Sequence, residues 1–226
     1  MRIGILGTGM VGRTLSDGLA SLGHEVVLGT RDPAETRERT RPDQYGFALA
    51  PWFEANPQIR LATFADAAAQ SEIVVNATAG IASLDVLGAA GAANLDGKIL
   101  IDVANALDFS RGMPPSLKAS TEDSLAERIQ AAFPGARVVK TLNTVGSNYQ
   151  TRPMDLAEGD HSTFVCGNDE AAKATVTELL RSLGWRDIID LGDLRAARAT
   201  EMVMPLWIAL LGALGLPPKF QFKVVR

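Results

Sequence analysis

The sequence predicts an α/β fold: a doubly wound parallel sheet with a small C-terminal α/β extension. Three observations carry that prediction. Six short apolar runs alternate with helical patterns between Arg2 and Thr144, the order that builds parallel sheets. A glycine-rich turn joins the first run to the first helix. Small and polar residues gather at the C-terminal ends of the runs, where open parallel sheets bind ligands.

The first unit runs from Met1 to Asp32. Arg2-Ile3-Gly4-Ile5-Leu6 is apolar enough for a buried parallel strand. Gly7-Thr8-Gly9-Met10-Val11-Gly12 follows and fits G-x-G-x-x-G. In such a turn the first glycine allows the bend and the second admits a pyrophosphate to the backbone. The third lets helix and strand pack closely. Met10, Val11, Thr14, Leu15, Gly18, Leu19 and Leu22 then share one face at helical spacing. Gly23-His24 ends that helix, and Glu25 to Gly29 reads as the second strand. Strand, turn, helix and strand in this order predict a Rossmann dinucleotide site.

The tip of the second strand selects the cofactor. NAD sites place Asp or Glu there to bond the ribose 2′-hydroxyl. This chain has Thr30-Arg31. A hydroxyl and a guanidinium suit a 2′-phosphate, because arginine makes strong charge-assisted bonds to phosphate oxygens. NADP(H) is therefore expected. Asp32-Pro33 reads as a helix N-cap followed by proline at the first helical position, not as a ribose ligand.

A charged helix follows from Pro33 to about Arg41, then a loop-like stretch to Pro57 anchored by Trp52 and Phe53. Gln58 to Ala62 is the third strand, and Thr63 caps a helix ending near Gln70. Glu72 to Ala77 is the fourth strand. Its end, Asn76-Ala77-Thr78, is expected to border the cofactor. Ile81 to Ala93 is a helix of small residues, and Lys98 to Val103 is the fifth strand, leading to Ala104-Asn105. Leu107 to Thr121 is a loop. Ser124 to Glu127 matches a capping box. Arg137 to Thr141 is the sixth strand, with Asn143-Thr144 at its tip as acceptor contacts.

Residues 1–144 thus read as the NADP-binding domain and 145–226 as a small region completing an acceptor pocket. That region offers strands at Ser162 to Cys166 and Trp185 to Asp190, with a helix between them. A long helix from Asp193 to Leu214 must kink or split at Pro205. Lys219 to Val225 alternates like a strand. Leu206 and Trp207 are expected to cover the acceptor. Met202, Met204, Leu206, Trp207 and Leu211 cannot all face one core, which predicts a homodimer.

Bulk properties narrow the field. The net charge of −4 and the lack of a basic stripe argue against nucleic acid. Cys166 is the single cysteine, so no internal disulfide is possible and a reducing, cytoplasmic setting is expected. Met202 to Pro218 is short for a membrane span, so no membrane partner is expected. The chain opens directly on its first strand, so no leader is expected.

The order of motifs resembles a known family. Gly7-Thr8-Gly9, Gly29-Thr30-Arg31, Val74-Val75-Asn76-Ala77, Ile101 to Asn105, Val138 to Thr144 and Phe164 to Gly167 together resemble NADPH-dependent coenzyme F420 reductases. The resemblance implies NADP on the Rossmann crevice with a deazaflavin stacked on its nicotinamide, and Thr30-Arg31 as the clamp on the 2′-phosphate. It implies a hydride passed between NADP(H) and coenzyme F420 or a flavin-like acceptor.

The residues argue the same way by omission. Reduction of a carbonyl needs an acid or base at the reacting oxygen. His24 lies in a turn away from the crevice, and His161 reads as structural. Lys140 remains, with a core-edge stem and a solvated head as an equal reading. No catalytic residue and no metal ligand set is assigned. Hydride transfer to a flavin-like ring needs mainly stacking and distance. Two other readings stand beside it: an NADPH-dependent reductase of a small carbonyl or imine, and a non-catalytic NADP(H)-sensing module.

Overall fold

The computed structural model describes residues 1–42 and 46–226. The expected loop from Pro42 to Pro57 therefore lies partly outside the described residues. The strands are β1 (Arg2–Leu6), β2 (Glu25–Thr30), β3 (Arg60–Thr63), β4 (Ile73–Asn76), β5 (Ile99–Asp102), β6 (Leu107–Asp108), β7 (Ser116–Leu117), β8 (Arg137–Thr141), β9 (Ser162–Gly167) and β10 (Asp187–Asp190). The α-helices are α1 (Met10–Ser21), α2 (Pro33–Glu38), α3 (Leu49–Ala55), α4 (Phe64–Ala69), α5 (Ser83–Ala90), α6 (Ala92–Leu95), α7 (Leu125–Ala132), α8 (Ser147–Gln150), α9 (Glu170–Ser182), α10 (Ala197–Met202) and α11 (Met204–Leu214).

One sheet holds eight strands in the order β10-β9-β8-β5-β4-β1-β2-β3. From β3 to β8 the pairs are parallel, and the order reverses between β1 and β4. That is the doubly wound plan, with a ligand crevice expected where the order reverses. β9 runs antiparallel to β8, and β10 parallel to β9. Residues after Thr144 thus extend the same sheet. Its two faces bury separate apolar clusters, one around Ile5, Leu28 and Val176, the other around Leu6, Leu100 and Ile129. Burying a side chain of this size contributes about 1.5–3 kcal/mol.

Several local expectations need correction. The stretch read as loop contains α3, which Pro51 enters in its first turn, where a missing N–H costs nothing. The helix expected over Ile81 to Ala93 is cut at Gly91, whose φ of +89° no helix accepts. A short hairpin, β6–β7, lies in the expected loop from Leu107 to Thr121. The tail from Lys219 joins no sheet. It passes the start of β9, where the Ser162 N–H donates to the Phe222 carbonyl. The long C-terminal helix is divided into a 3₁₀ turn at Leu194–Ala196, then α10 and α11. Pro205 lies in the first turn of α11 and starts that segment. Leu194–Leu214 as a whole is long and apolar enough to cross a membrane by length and composition. Asp32 caps α2 by accepting from the Glu35 N–H at 3.0 Å, as its sequence context implies.

Candidate functional site

Five strand tips stand side by side and are joined by backbone bonds. The Gly7 N–H donates to the Gly29 carbonyl, joining the glycine turn to the end of β2. Ala77 N–H donates to Leu6, and Val103 N–H to Asn76. Gly80 N–H donates to Asn105. The Asn105 and Asn143 amides close the row, with Asn105 Nδ2 at 2.7 Å from the Asn143 carbonyl and Asn143 Nδ2 at 3.0 Å from Asn105 Oδ1. The sequence-predicted residues from Gly7 to Thr144 therefore share one rim.

The glycine turn is built for a phosphate. Gly7 takes φ +117°, and a Cβ there would stand 2.6 Å from the Ala77 carbonyl. A Cβ on Gly12 would stand 1.9 Å from the Gly7 carbonyl, so helix and turn touch through bare backbone. Gly9 is the opposite case: a Cβ there would meet nothing within 4 Å. It opens the crevice at the N-terminus of α1, which no side chain caps. Unpaired N–H groups and the helix dipole make that end an anion site. Thr8, Met10 and Val11 are half-buried around it. The residues present thus fit a dinucleotide diphosphate.

At the tip of β2, Thr30 is buried and its hydroxyl lies 2.8 Å from that of Thr36. Arg31 beside it is exposed. The guanidinium is free to swing onto a phosphate, whereas Thr30 is held in place.

The far end of the rim holds a buried ion cluster. Lys140 Nζ lies 2.8 Å from Asp102 Oδ2, 2.9 Å from Glu201 Oε1 and 2.5 Å from the Ala104 carbonyl. All three charged side chains are fully buried. This overturns the solvated head that stood as an equal reading of Lys140. β5 and β8 pair with Asp102 opposite Lys140, and Glu201 arrives from α10. Burial alone would push the ammonium down, but Asp102 and Glu201 outweigh it and hold it above its ordinary value. The extra negative charge is met by the N-terminus of α7: Glu201 accepts from Leu125 N–H at 2.8 Å and Ala126 N–H at 3.2 Å. Glu201 was not nominated from sequence. Its signal is an acid in an otherwise small and apolar segment, Ala199 to Met204.

Other candidates are placed as follows. Asn76 is fully buried, its amide shared between Ser83, Asp102 and Thr78, so it braces the rim from beneath. Asn143 and Thr144 are buried, and Asn143 Nδ2 also donates to the Thr200 carbonyl at 3.0 Å. Leu142 just before them takes φ +55°, an arrangement costing about 1–2 kcal/mol for a residue with a Cβ. Gln150 Nε2 holds its carbonyl at 3.1 Å. Ser147 Oγ lies 2.9 Å from Met10 Sδ, bringing α8 against the start of α1. Trp207 packs on Phe220, ring centroids 5.3 Å apart, and lies near Gly146. Leu206 is 54% exposed. His161 is buried edge-on to Trp185, and its Nε2–H donates to the Pro153 carbonyl. Burial pushes the Cys166 thiol up to about 12, so it is an inert core group.

A family model for NADP oxidoreductases, coenzyme F420-dependent, matches residues 2–106. The chain is 31% identical over 221 residues to metalloreductase STEAP3 of Rattus norvegicus. That match covers 95% of this chain but 40% of the metalloreductase, so the chain spans less than half of that protein. It is 28% identical over 217 residues to the F420-dependent NADP reductase of Methanothermobacter marburgensis, covering 93% and 92% of the two chains. The crystal structure of an Arthrobacter sp. FB24 protein, provisionally described as an F420-dependent NADP-reductase, superposes with a TM-score of 0.94. The two are 54% identical, and the match covers all of both chains. A Streptomyces aurantiacus imine reductase shares the fold, with a TM-score of 0.62 at 17% identity over 95% of this chain and 64% of that one. With its glycine-rich dinucleotide turn and full-length match to the Arthrobacter structure, the chain belongs to the family of coenzyme F420-dependent NADP oxidoreductases.

Proposed function

We propose that this protein passes hydride between NADP(H) and a deazaflavin, coenzyme F420, or a flavin-like acceptor. The observation that carries the reading is the sealing of Lys140. The one side chain nominated as an acid is locked between two carboxylates with no exposed surface. It has no route to a reacting oxygen. A carbonyl or imine reductase needs such a group, whereas ring-to-ring hydride transfer needs alignment.

When bound, NADPH supplies the hydride. The chain's own residues hold and align it. Gly7 to Gly12 and the N-terminus of α1 take the diphosphate. Thr30 and Arg31 take the 2′-phosphate. Ala77, Thr78, Ala104 and Asn105 wall the nicotinamide end. Asn143, Thr144, Leu206 and Trp207 border the acceptor. Residues 1–144 supply the cofactor site in this reading, and 145–226 complete the pocket.

The proposal includes a cytoplasmic homodimer. Leu206, Leu214 and Leu216 are 54%, 65% and 77% exposed, and a second copy of α11 would cover them. The test is stopped-flow oxidation of NADPH with F420, FMN, and a carbonyl and an imine panel. Turnover with the ring acceptors, flat in pH around neutrality, supports the reading. Turnover confined to carbonyls or imines with a titrating profile refutes it. Binding of NADPH without turnover by any acceptor promotes the sensing module.

A further inference from the structure

The end of β4 carries a ring of hydrogen bonds whose polarity is fixed from beneath. Asp102, paired with Lys140, can only accept. Its Oδ1 lies 2.8 Å from the Asn76 amide, so the atom facing it is Nδ2. This decides which way the amide points. The second hydrogen of Nδ2 goes to Ser83 Oγ at 2.9 Å. The amide oxygen then faces Thr78, accepting from Oγ1 at 2.7 Å and from the backbone N–H at 3.4 Å. Thr78 has thereby used its one hydroxyl proton. The 2.9 Å contact between Thr78 and Ser83 is therefore donated by Ser83. No proton is left over on the side chains of Asn76, Thr78 and Ser83.

Asn76 and Ser83 have no exposed surface, while Thr78 is half-buried at the rim. It stands against the glycine turn: a Cβ on Gly7 would lie 3.3 Å from its backbone nitrogen. The Thr78 hydroxyl has a lone pair left to accept with and no proton left to donate. Its polarity is backed by a fully buried ion pair, not by solvent.

We propose that Thr78 is a one-way specificity contact, an obligate acceptor that takes a hydrogen-bond donor from the dinucleotide. This rests on the NADP(H) reading above. Two parts of that ligand carry such donors at the nicotinamide end: the carboxamide N–H and the ribose hydroxyls. A ligand presenting a carbonyl at this point would meet lone pair against lone pair and be disfavoured.

The test is calorimetric binding to the wild type, Thr78→Val and Thr78→Ser. Three ligands separate the sources. NADP⁺ has both donors. Its 3-acetylpyridine analogue keeps the ribose but lacks the amide N–H. 2′,5′-ADP lacks both. Thr78→Val should weaken NADP⁺ about 3- to 10-fold, the range of one neutral hydrogen bond. Thr78→Ser should bind within about twofold of the wild type, because the hydroxyl is kept. A loss for NADP⁺ alone assigns the amide. A loss shared by the acetylpyridine analogue, with 2′,5′-ADP unchanged, assigns the ribose. No loss, or an equal loss for all three ligands, overturns the proposal. Failure of the wild type to bind any of the three instead refutes the dinucleotide reading beneath it.

Discussion

Lys140→Met removes one charge and nearly no volume from a fully buried ion cluster. The wild type sets one ammonium against two carboxylates, all fully buried. The variant leaves Asp102 and Glu201 without a cation. Their remaining support is the Asn76 amide, the Ala104 N–H and the start of α7. Breaking a buried pair in this way costs about 3–5 kcal/mol. That is a large share of the about 5–15 kcal/mol that holds a domain together. The pH dependence has a definite sign. In the wild type the Lys140 ammonium is held above its ordinary 10.5. Its contribution is complete below that value and is lost only as pH rises through the higher folded value. It is therefore flat between pH 5 and 8. In the variant a buried, uncompensated carboxylate is pushed up by desolvation. A group raised in the folded state favours folding at low pH, so the deficit should shrink from pH 8 to pH 5. Lys140→Met/Glu201→Gln restores a single buried negative charge and should recover part of the loss. Urea unfolding of the three proteins at both pH values measures each quantity. A loss below about 1 kcal/mol, or a deficit that grows toward acid, would show that the cluster is not the buried triad described.

Arg31→Ala should weaken NADPH binding by about 1.5–3 kcal/mol, the scale of a hydrogen bond to a charged group, and leave NADH nearly untouched. Equal losses in calorimetry would mean that Arg31 does not meet the 2′-phosphate. Gly12→Ala puts a methyl group 1.9 Å from the Gly7 carbonyl and should abolish NADP⁺ binding. Wild-type affinity in that variant would refute the close helix–turn packing. Leu206→Glu should shift sedimentation from dimer to monomer at micromolar protein. A wild type already monomeric there removes the dimer. Cys166 should resist a thiol reagent at pH 8 and react only on unfolding, given a thiol pushed up to about 12.

Local chemistry was legible, and long-range pairing was not. The backbone of the turn from Gly7 to Gly12 and the Asp32 cap depend on neighbours within a few residues, so their spacing reveals them. The environment of Lys140 depends on β5 standing beside β8 and on α10 reaching the β8 tip. Asp102 and Lys140 each sit near the end of an apolar strand. Once those strands are neighbours, opposite charges in one register are readable as a pair. Glu201 is 61 positions from Lys140 and on a helix, where no strand register gives it away. The helix α3 was missed because Ala48 offers no capping side chain before it. The tail was misread because alternation of side chains does not require a partner strand.

The reversal of direction between β8 and β9 gives the sheet two unlike rims. The loops that follow β1, β4, β5 and β8 border the crevice. Those that follow β9 and β10 open at the other end, where Gly167 N–H donates to the Gly192 carbonyl and Leu194 N–H to Asn168 Oδ1. The turn at Gly192 is level with the middle of β8, because Gly167 pairs with Val139. In that turn a Cβ on Gly192 would meet nothing within 4 Å. A fluorophore, affinity handle or surface tether grafted there would ride on the rigid sheet without shadowing the crevice.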